Sequence, residues 1–274
     1  MAFHGERNSA MTITAYMPRG LLGYREVTFA PMPKWWDAAL PVHYVNCPDT
    51  GPRLGFVRKV VHTIVIDLSK AETEILSEFG GSTRNEISRA TREGTTMRVA
   101  TGYDTFLKLY GGASKHKSLP TISPRYLQSL GESVVVTEAV FEGEVLVSHI
   151  YFVDTLSSRT RLQYSASLFR DFDPHSDKGM RRRVGRANRF LHYQDMLYFR
   201  SQGLRWFDLG GIILPDSNAS AELLQVAEFK QSFGKTILSE ANYLSWAQYL
   251  YRKVRQGMVV GWKDASAEKL GEAA

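Results

Sequence analysis

Residues 205–212 read Arg-Trp-Phe-Asp-Leu-Gly-Gly-Ile. Asp208 stands in an otherwise apolar run, and Gly210 and Gly211 follow where a buried strand favours branched side chains. A carboxylate taken out of water needs hydrogen bonds or a cation. Glycine inside a strand marks a bulge, or a place where another backbone or a ligand comes close. Asp208 therefore has two readings: it accepts structural hydrogen bonds there, or it handles a proton.

Further along, residues 228–234 read Glu-Phe-Lys-Gln-Ser-Phe-Gly. Lys230, beside Phe229, is either a lysine laying its stem along apolar surface or part of a site. Asn188 and His192 are four residues apart and share one face of a helix. There His192 and Asn188 together position a substrate amide, or His192 serves as a general base, or it is an ordinary surface or partly buried histidine. His149, inside a strand, reads as a satisfied core or rim residue. Upstream of that helix's periodic part runs Arg181-Arg182-Arg183-Val184-Gly185-Arg186. Guanidinium groups next to helix-terminal amides suit a phosphate or pyrophosphate, and glycine admits a close approach. A solvated basic turn is the competing reading.

Composition bounds these choices. The chain has 274 residues, 43% hydrophobic and 12% aromatic, with a formal charge of +6. That describes a globular protein with ample core, and a moderately basic surface that suits polyanions without requiring them. Cys47 is the only cysteine, so an internal disulfide and thiolate metal clusters are excluded, and with no histidine beside it Cys47 is not expected to be a nucleophile. No metal is expected. The first ten residues lack a signal-peptide apolar run, and no stretch is long enough for a membrane helix. The expectation is a soluble, cytoplasmic protein with no membrane insertion.

The elements that must position these residues follow from periodicity. Residues 1–57 read as an extension of loops, with a short strand at 24–29 and one helical turn at 35–40. Residues 60–69 are a β-branched buried strand. Two helices follow, with capping boxes expected at Ser69/Glu72 and Thr83/Glu86, then a strand at 95–101. Helical pieces are expected at 103–111 and 124–130, joined by a flexible basic segment. Residues 133–169 form a three-strand antiparallel meander turning at Glu142-Gly143 and at 155–158. After a polar loop come a helix at 187–202, the strand of the glycine pair, a helix at 219–232 and a closing strand. The expected fold is α+β, a mixed, mostly antiparallel sheet flanked by helices. One domain spans 58–263, and 264–274 form a frayed tail.

The pairing of FDLGGI with FKQSFG about twenty residues later, behind a helix that ends in glycine, resembles the FemAB-like branch of the GNAT acyltransferase superfamily. Upstream, RNEISRATREG resembles that branch's basic–Ile–Arg-Ala–Gly pattern, although Arg84 and Arg89 are equally well explained as helix-face charges. The resemblance covers about residues 60–250 and, at this length, is to a single-domain relative. It implies a GNAT fold whose central strands, QYSASLF and WFDLGGI, splay to admit an acyl donor. Unpaired backbone amides of QYSASLF would hold that donor, with the hydroxyls of Tyr164, Ser165 and Ser167 either near it or simply packing and capping, and Arg181–Arg186 would receive the pyrophosphate of an acyl-CoA. Gly210 and Gly211 would admit donor or acceptor, and Lys230 would lie at the reacting centre, with Asp208 or His192 as base. The implied activity is N-acylation of a small-molecule amine or amino sugar by acyl-CoA, acetyl-CoA being the expected donor. An aminoacyl-tRNA donor is the alternative, and a non-catalytic nucleotide- or RNA-binding relative a third. The oligomeric state is not legible.

Overall fold

The computed structural model describes residues 13–17, 24–117, 122–168, 178–214 and 220–255. In chain order the elements are β1 (Ile13–Met17), β2 (Tyr24–Thr28), a 3-10 turn (Trp35–Ala39), β3 (Val42–Cys47) and β4 (Phe56–Asp67). Then come α1 (Glu72–Glu78), α2 (Gly81–Arg92), β5 (Thr96–Val99), α3 (Asp104–Lys117) and α4 (Pro124–Ser129). The meander is β6 (Val134–Phe141), β7 (Glu144–Asp154) and β8 (Arg159–Ser167). It is followed by α5 (Lys178–Ser201), β9 (Trp206–Ile212), α6 (Ala221–Gln231), β10 (Ile237–Ser245) and α7 (Trp246–Arg255). The polar tail expected at 264–274 lies outside the described residues, as does part of the segment expected to join α3 to α4.

Two compact units result. One holds the described residues of 13–61, 154–159 and 239–255. Its strands run in the order β1-β2-β3-β10, with β2 and β3 parallel and the outer pairs antiparallel. Val27, Val42, Tyr44, Cys47, Phe56 and Tyr243 close its core. Burial pushes the Cys47 thiol far up, reinforced by Glu240 and Asp49, so it is no ready nucleophile.

The second unit holds the described residues of 62–153 and 160–238. Its strand order is β4-β9-β8-β7-β6-β5, with β4–β9, β5–β6 and β6–β7 antiparallel. The Glu142-Gly143 turn has positive φ at both positions, 49° and 84°, as a two-residue hairpin whose twist matches its strands requires. Its main core joins β4, β9, α1, α5 and α6 through Ile64, Ile66, Ile75, Met196, Phe199, Phe207 and Ala227, with Phe233 just beyond α6. A second cluster sets Val184, Ala187 and Leu191 of α5 on β6 and β7.

Three local expectations shift. The first capping contact begins two residues later than Ser69: the Ala71 amide donates to Glu74 at 2.8 Å, while the Ser69 amide and hydroxyl donate to Asp67. Thr83 lies inside α2, its hydroxyl 2.9 Å from Ser232, because Gly80 already caps that helix. The long helix starts at Lys178, so Arg181–Arg186 occupy helical turns instead of a preceding loop. Arginine is a good helix former, and one glycine among four arginines does not stop the helix.

Candidate active site

β9 bulges at its glycines. Against β4, Thr63 faces Gly211 and Val65 faces Asp208, so Leu209 and Gly210 together oppose the single residue Ile64. Gly210 has φ of 84°, the usual signature of a bulge glycine. Asp208 imposes this turn, because its Oδ1 accepts the Gly210 amide at 2.7 Å. The Thr63 hydroxyl also donates to Oδ1 and lies 2.8 Å from the Gly210 carbonyl oxygen. On the other side, Arg161 of β8 donates to Asp208 Oδ2 at 2.6 Å. The carboxylate is fully buried with both oxygens engaged. A Cβ on Gly210 would stand 3.1 Å from the Leu162 carbonyl oxygen and 3.4 Å from Lys230 Nζ. What fits against this glycine is thus the neighbouring strand and a lysine.

Lys230 projects from the last turn of α6 and is 2% exposed. Its ammonium donates to the Gly211 carbonyl at 2.9 Å. Burial, and secondarily the charge of Arg161, bring its pKa down to about 7 against the opposing pull of Asp208. An amine with that value exchanges its proton near neutral pH, which an ordinary lysine does not. Phe229, beside it in the chain, packs on Phe233 and carries the guanidinium of Arg189 on its face at 5.1 Å.

α5 brings Asn188 and His192 together around His149 of β7. His149 is fully buried, with Nδ1 2.9 Å from Asp195 Oδ2 and Nε2 3.0 Å from Asn188 Oδ1. The Tyr151 hydroxyl donates to the same Asp195 oxygen at 2.7 Å. The ring of His192 lies 4.4 Å from that of His149 and 5.2 Å from that of Phe233. Neither His192 nitrogen has a hydrogen-bond partner. Burial, together with the His149, Lys230 and Arg189 charges, holds its pKa well below the usual histidine range, so the ring is neutral at physiological pH.

The arginines of α5 line two adjoining clefts of about 400 and 410 Å³ between α2 and α5. Arg89, Arg182 and Arg186 border both; Arg183 and Gly179 belong to the first, and Arg189, Gly185 and Ser82 to the second. Arg186 is committed to Glu93, donating twice to one carboxylate oxygen at 2.7 and 3.0 Å. Arg182 is exposed and Arg181 and Arg183 half-buried, with Arg183 stacked 4.1 Å over Phe141. Gly185 needs no special backbone angle, and a Cβ there would meet only Arg189. On β8, Tyr164 packs between Phe106 and Tyr110 of α3, Ser165 is buried and Ser167 half-buried.

Thr63, Arg161, Asp195, Ser82 and Arg189 join these groups without having been singled out as candidates in the sequence, whereas His149, read there as a satisfied core or rim residue, is buried with both ring nitrogens engaged. One signal was available: Arg161 and Asp208 are opposite charges inside two buried strands, and such charges must find each other. Asp195 carries no comparable mark, since helix periodicity alone does not show which strand covers it. Among the described residues no cluster of His, Cys, Asp and Glu is arranged to hold a metal, and no helix is long and apolar enough to cross a membrane.

No protein-family model and no curated protein matches the chain. Solved structures do. The structure of FemX superposes with a TM-score of 0.63 at 13% identity, covering 93% of this chain and 89% of that one. The C-terminal domain of a putative lysylphosphatidylglycerol synthetase from Agrobacterium fabrum gives 0.53 at 16% identity, over 90% and 84%. L-PGS from Bacillus licheniformis gives 0.50 at 14%, over 91% and 86%. The chain therefore shares its fold with FemX and with these two synthetase structures.

Proposed function

We propose that the protein is an N-acyltransferase in which an amine attacks the carbonyl of an acyl-CoA thioester bound beside β8 and β9. The observation that carries this reading is the buried ammonium of Lys230, fixed at the carbonyl of Gly211 in the β9 bulge. As the amine nitrogen bonds to the carbonyl carbon, negative charge grows on the carbonyl oxygen. A desolvated cation held at that place stabilises it more than water does. The tetrahedral intermediate then collapses, the C–S bond breaks, and the departing thiolate takes up, directly or through water, the proton that the amine loses, so that CoA leaves as the thiol. Most of the remaining acceleration is positioning.

In this reading Asp208 keeps the bulge and Arg161 in place; its two engaged oxygens support that role over proton transfer. Asn188 and His192 contribute through the packing that carries Phe229 and Lys230. Tyr164, Ser165 and Ser167 border the donor, and Arg181, Arg182, Arg183, Gly185 and Arg186 form the wall that meets its pyrophosphate. The clefts beside Arg182 and Arg183 support that last assignment. Acetyl-CoA is the first donor to test, with a small amine or amino sugar as acceptor.

An aminoacyl-tRNA donor is the second reading. It is favoured by the likeness to FemX and to synthetases whose name denotes lysyl transfer to phosphatidylglycerol. One experiment separates the two. Purified protein is screened by thermal shift against CoA thioesters and aminoacylated tRNA, and co-purifying ligands are identified by mass spectrometry. Stabilisation by CoA thioesters is expected. Stabilisation by charged tRNA alone replaces the donor, and a response to neither removes the acyltransferase reading.

A further inference from the structure

The unit built on β1, β2, β3 and β10 turns large apolar side chains outward. Asp37, 1% exposed, accepts from Arg25 and from the Tyr44 hydroxyl, and so pins the 3-10 turn. On this fixed turn Trp35 is 79% exposed, Trp36 54% and Leu40 48%. The rings of Trp35 and Trp36 meet edge to face at 5.7 Å, and the Lys34 ammonium lies over Trp36. Helix α7 has its polarity reversed: Trp246 (54%), Leu250 (61%) and Lys253 face solvent, while Gln248 is buried at 2%. These positions follow i, i+4, i+7, one helical face.

The two pieces are neighbours. The Trp246 amide donates to the Gly55 carbonyl at 2.9 Å, and the Ser245 hydroxyl donates to the Leu40 carbonyl at 2.6 Å. A Cβ on Gly55 would collide with Ala38, which places the turn carrying Leu54, 91% exposed, in the same patch. Exposed large apolar side chains carried on adjoining backbone segments mark an interaction site. The charge of the unit says with what. Of the five acidic residues in its described part, Glu26, Asp37, Asp154 and Glu240 are at most 3% exposed, and Asp49 is paired with Arg53. Lys34, Arg58 and Lys253 are exposed. The surface is therefore cationic and rich in tryptophan, with no exposed carboxylate among the described residues.

We propose that this unit docks peripherally on an anionic phospholipid bilayer, with Trp35, Trp36, Trp246 and Leu250 in the interfacial layer and Lys34 and Lys253 at the headgroups. Tryptophan partitions to the membrane–water boundary because one side of the ring is apolar and its N–H needs a polar partner. Each lysine near an anionic leaflet adds attraction that salt screens. The turn that carries Trp35 and Trp36 is held by Asp37, so this part of the docking face exists before any lipid is present.

The test is co-sedimentation of the full chain with vesicles of phosphatidylcholine alone and of phosphatidylcholine mixed equally with phosphatidylglycerol. The proposal expects pelleting with the mixed vesicles, a loss of at least about tenfold in binding for Trp36→Ser/Trp246→Ser, and weakening by salt. Lys34→Glu/Lys253→Glu tests the charge separately, and should abolish the preference for phosphatidylglycerol. Circular dichroism of each variant verifies folding; both replace exposed side chains, so unchanged melting is expected. Failure to pellet, or equal pelleting of the tryptophan variant, overturns the proposal. So does sedimentation equilibrium showing a dimer that the tryptophan variant dissociates, which would assign the patch to a second copy of the chain. None of these outcomes depends on transferase activity.

Discussion

Lys230 Nζ stands 2.9 Å from the carbonyl oxygen of Gly211, with the Cβ position of Gly210 only 3.4 Å away. A helix residue and a strand bulge, nineteen positions apart in the chain, define one point in space. If the reacting carbonyl is polarised there, Lys230→Met should lower turnover by about 10²–10³-fold. Steady-state kinetics on the identified donor checks this, with binding of the donor retained.

The same substitution should stabilise the fold, because a buried ammonium is replaced by an apolar chain of similar length. A gain on the order of 2 kcal/mol is expected in urea unfolding. The pH dependence has a definite sign. The folded pKa of Lys230 is depressed to about 7, below its unfolded value. Below about 7 both states hold the proton and the burial cost is fully present; above it, up to the ordinary lysine range, only the unfolded chain holds it. The Lys230-dependent part of stability therefore rises with pH from about 7 upward. Subtracting the Met variant's stability profile isolates it, and a flat difference would contradict the depressed value.

Asp208→Asn should be severe. It leaves Arg161 buried without its counter-charge and weakens the hold on the Gly210 amide. Removing one partner of a buried pair costs roughly 3–5 kcal/mol. Asp208→Leu/Arg161→Met should recover part of that loss, and chemical denaturation of the single and double variants measures the coupling.

Gly210→Ala forces a Cβ toward the Leu162 carbonyl at a φ of 84°. A destabilisation of about 1–3 kcal/mol is expected. A variant at Gly143, whose added Cβ would meet nothing within 4 Å, serves as a control for backbone strain alone.

Arg182→Glu/Arg183→Glu should weaken acyl-CoA binding by tenfold or more, and make the residual affinity less sensitive to salt. Isothermal titration at two ionic strengths measures both. Unchanged affinity would move the pyrophosphate elsewhere.

Much of the fold was legible because it rests on local rules. Glu142-Gly143 announced its hairpin through the positive φ that a two-residue turn needs, and the three strands around it followed from β-branched runs. The strand of Gly210 was visible as a strand interrupted by glycine. The start of α5 was not, because arginines continue a helix as readily as they populate a loop. α7 was missed because it begins at Trp246 directly after β10 ends at Ser245, with no turn residue to mark the change.

The site divides in the same way. The sequence by itself determined that Asp208, the glycine pair and Lys230 belong to unusual local structure, since a carboxylate in an apolar run and glycines in a strand each violate a local preference. Only the tertiary structure decided what answers them. Arg161 neutralises Asp208 and Thr63 donates a hydrogen bond to it, from two different strands, and the glycine at 210 makes room for Leu162 and Lys230. Asp195 and Asn188 were assigned to His149 by the packing of α5 on β7. These are contacts between residues far apart in the chain, and side-chain charge and hydrogen-bonding capacity specify that a partner is needed without specifying which segment the folded backbone brings to it.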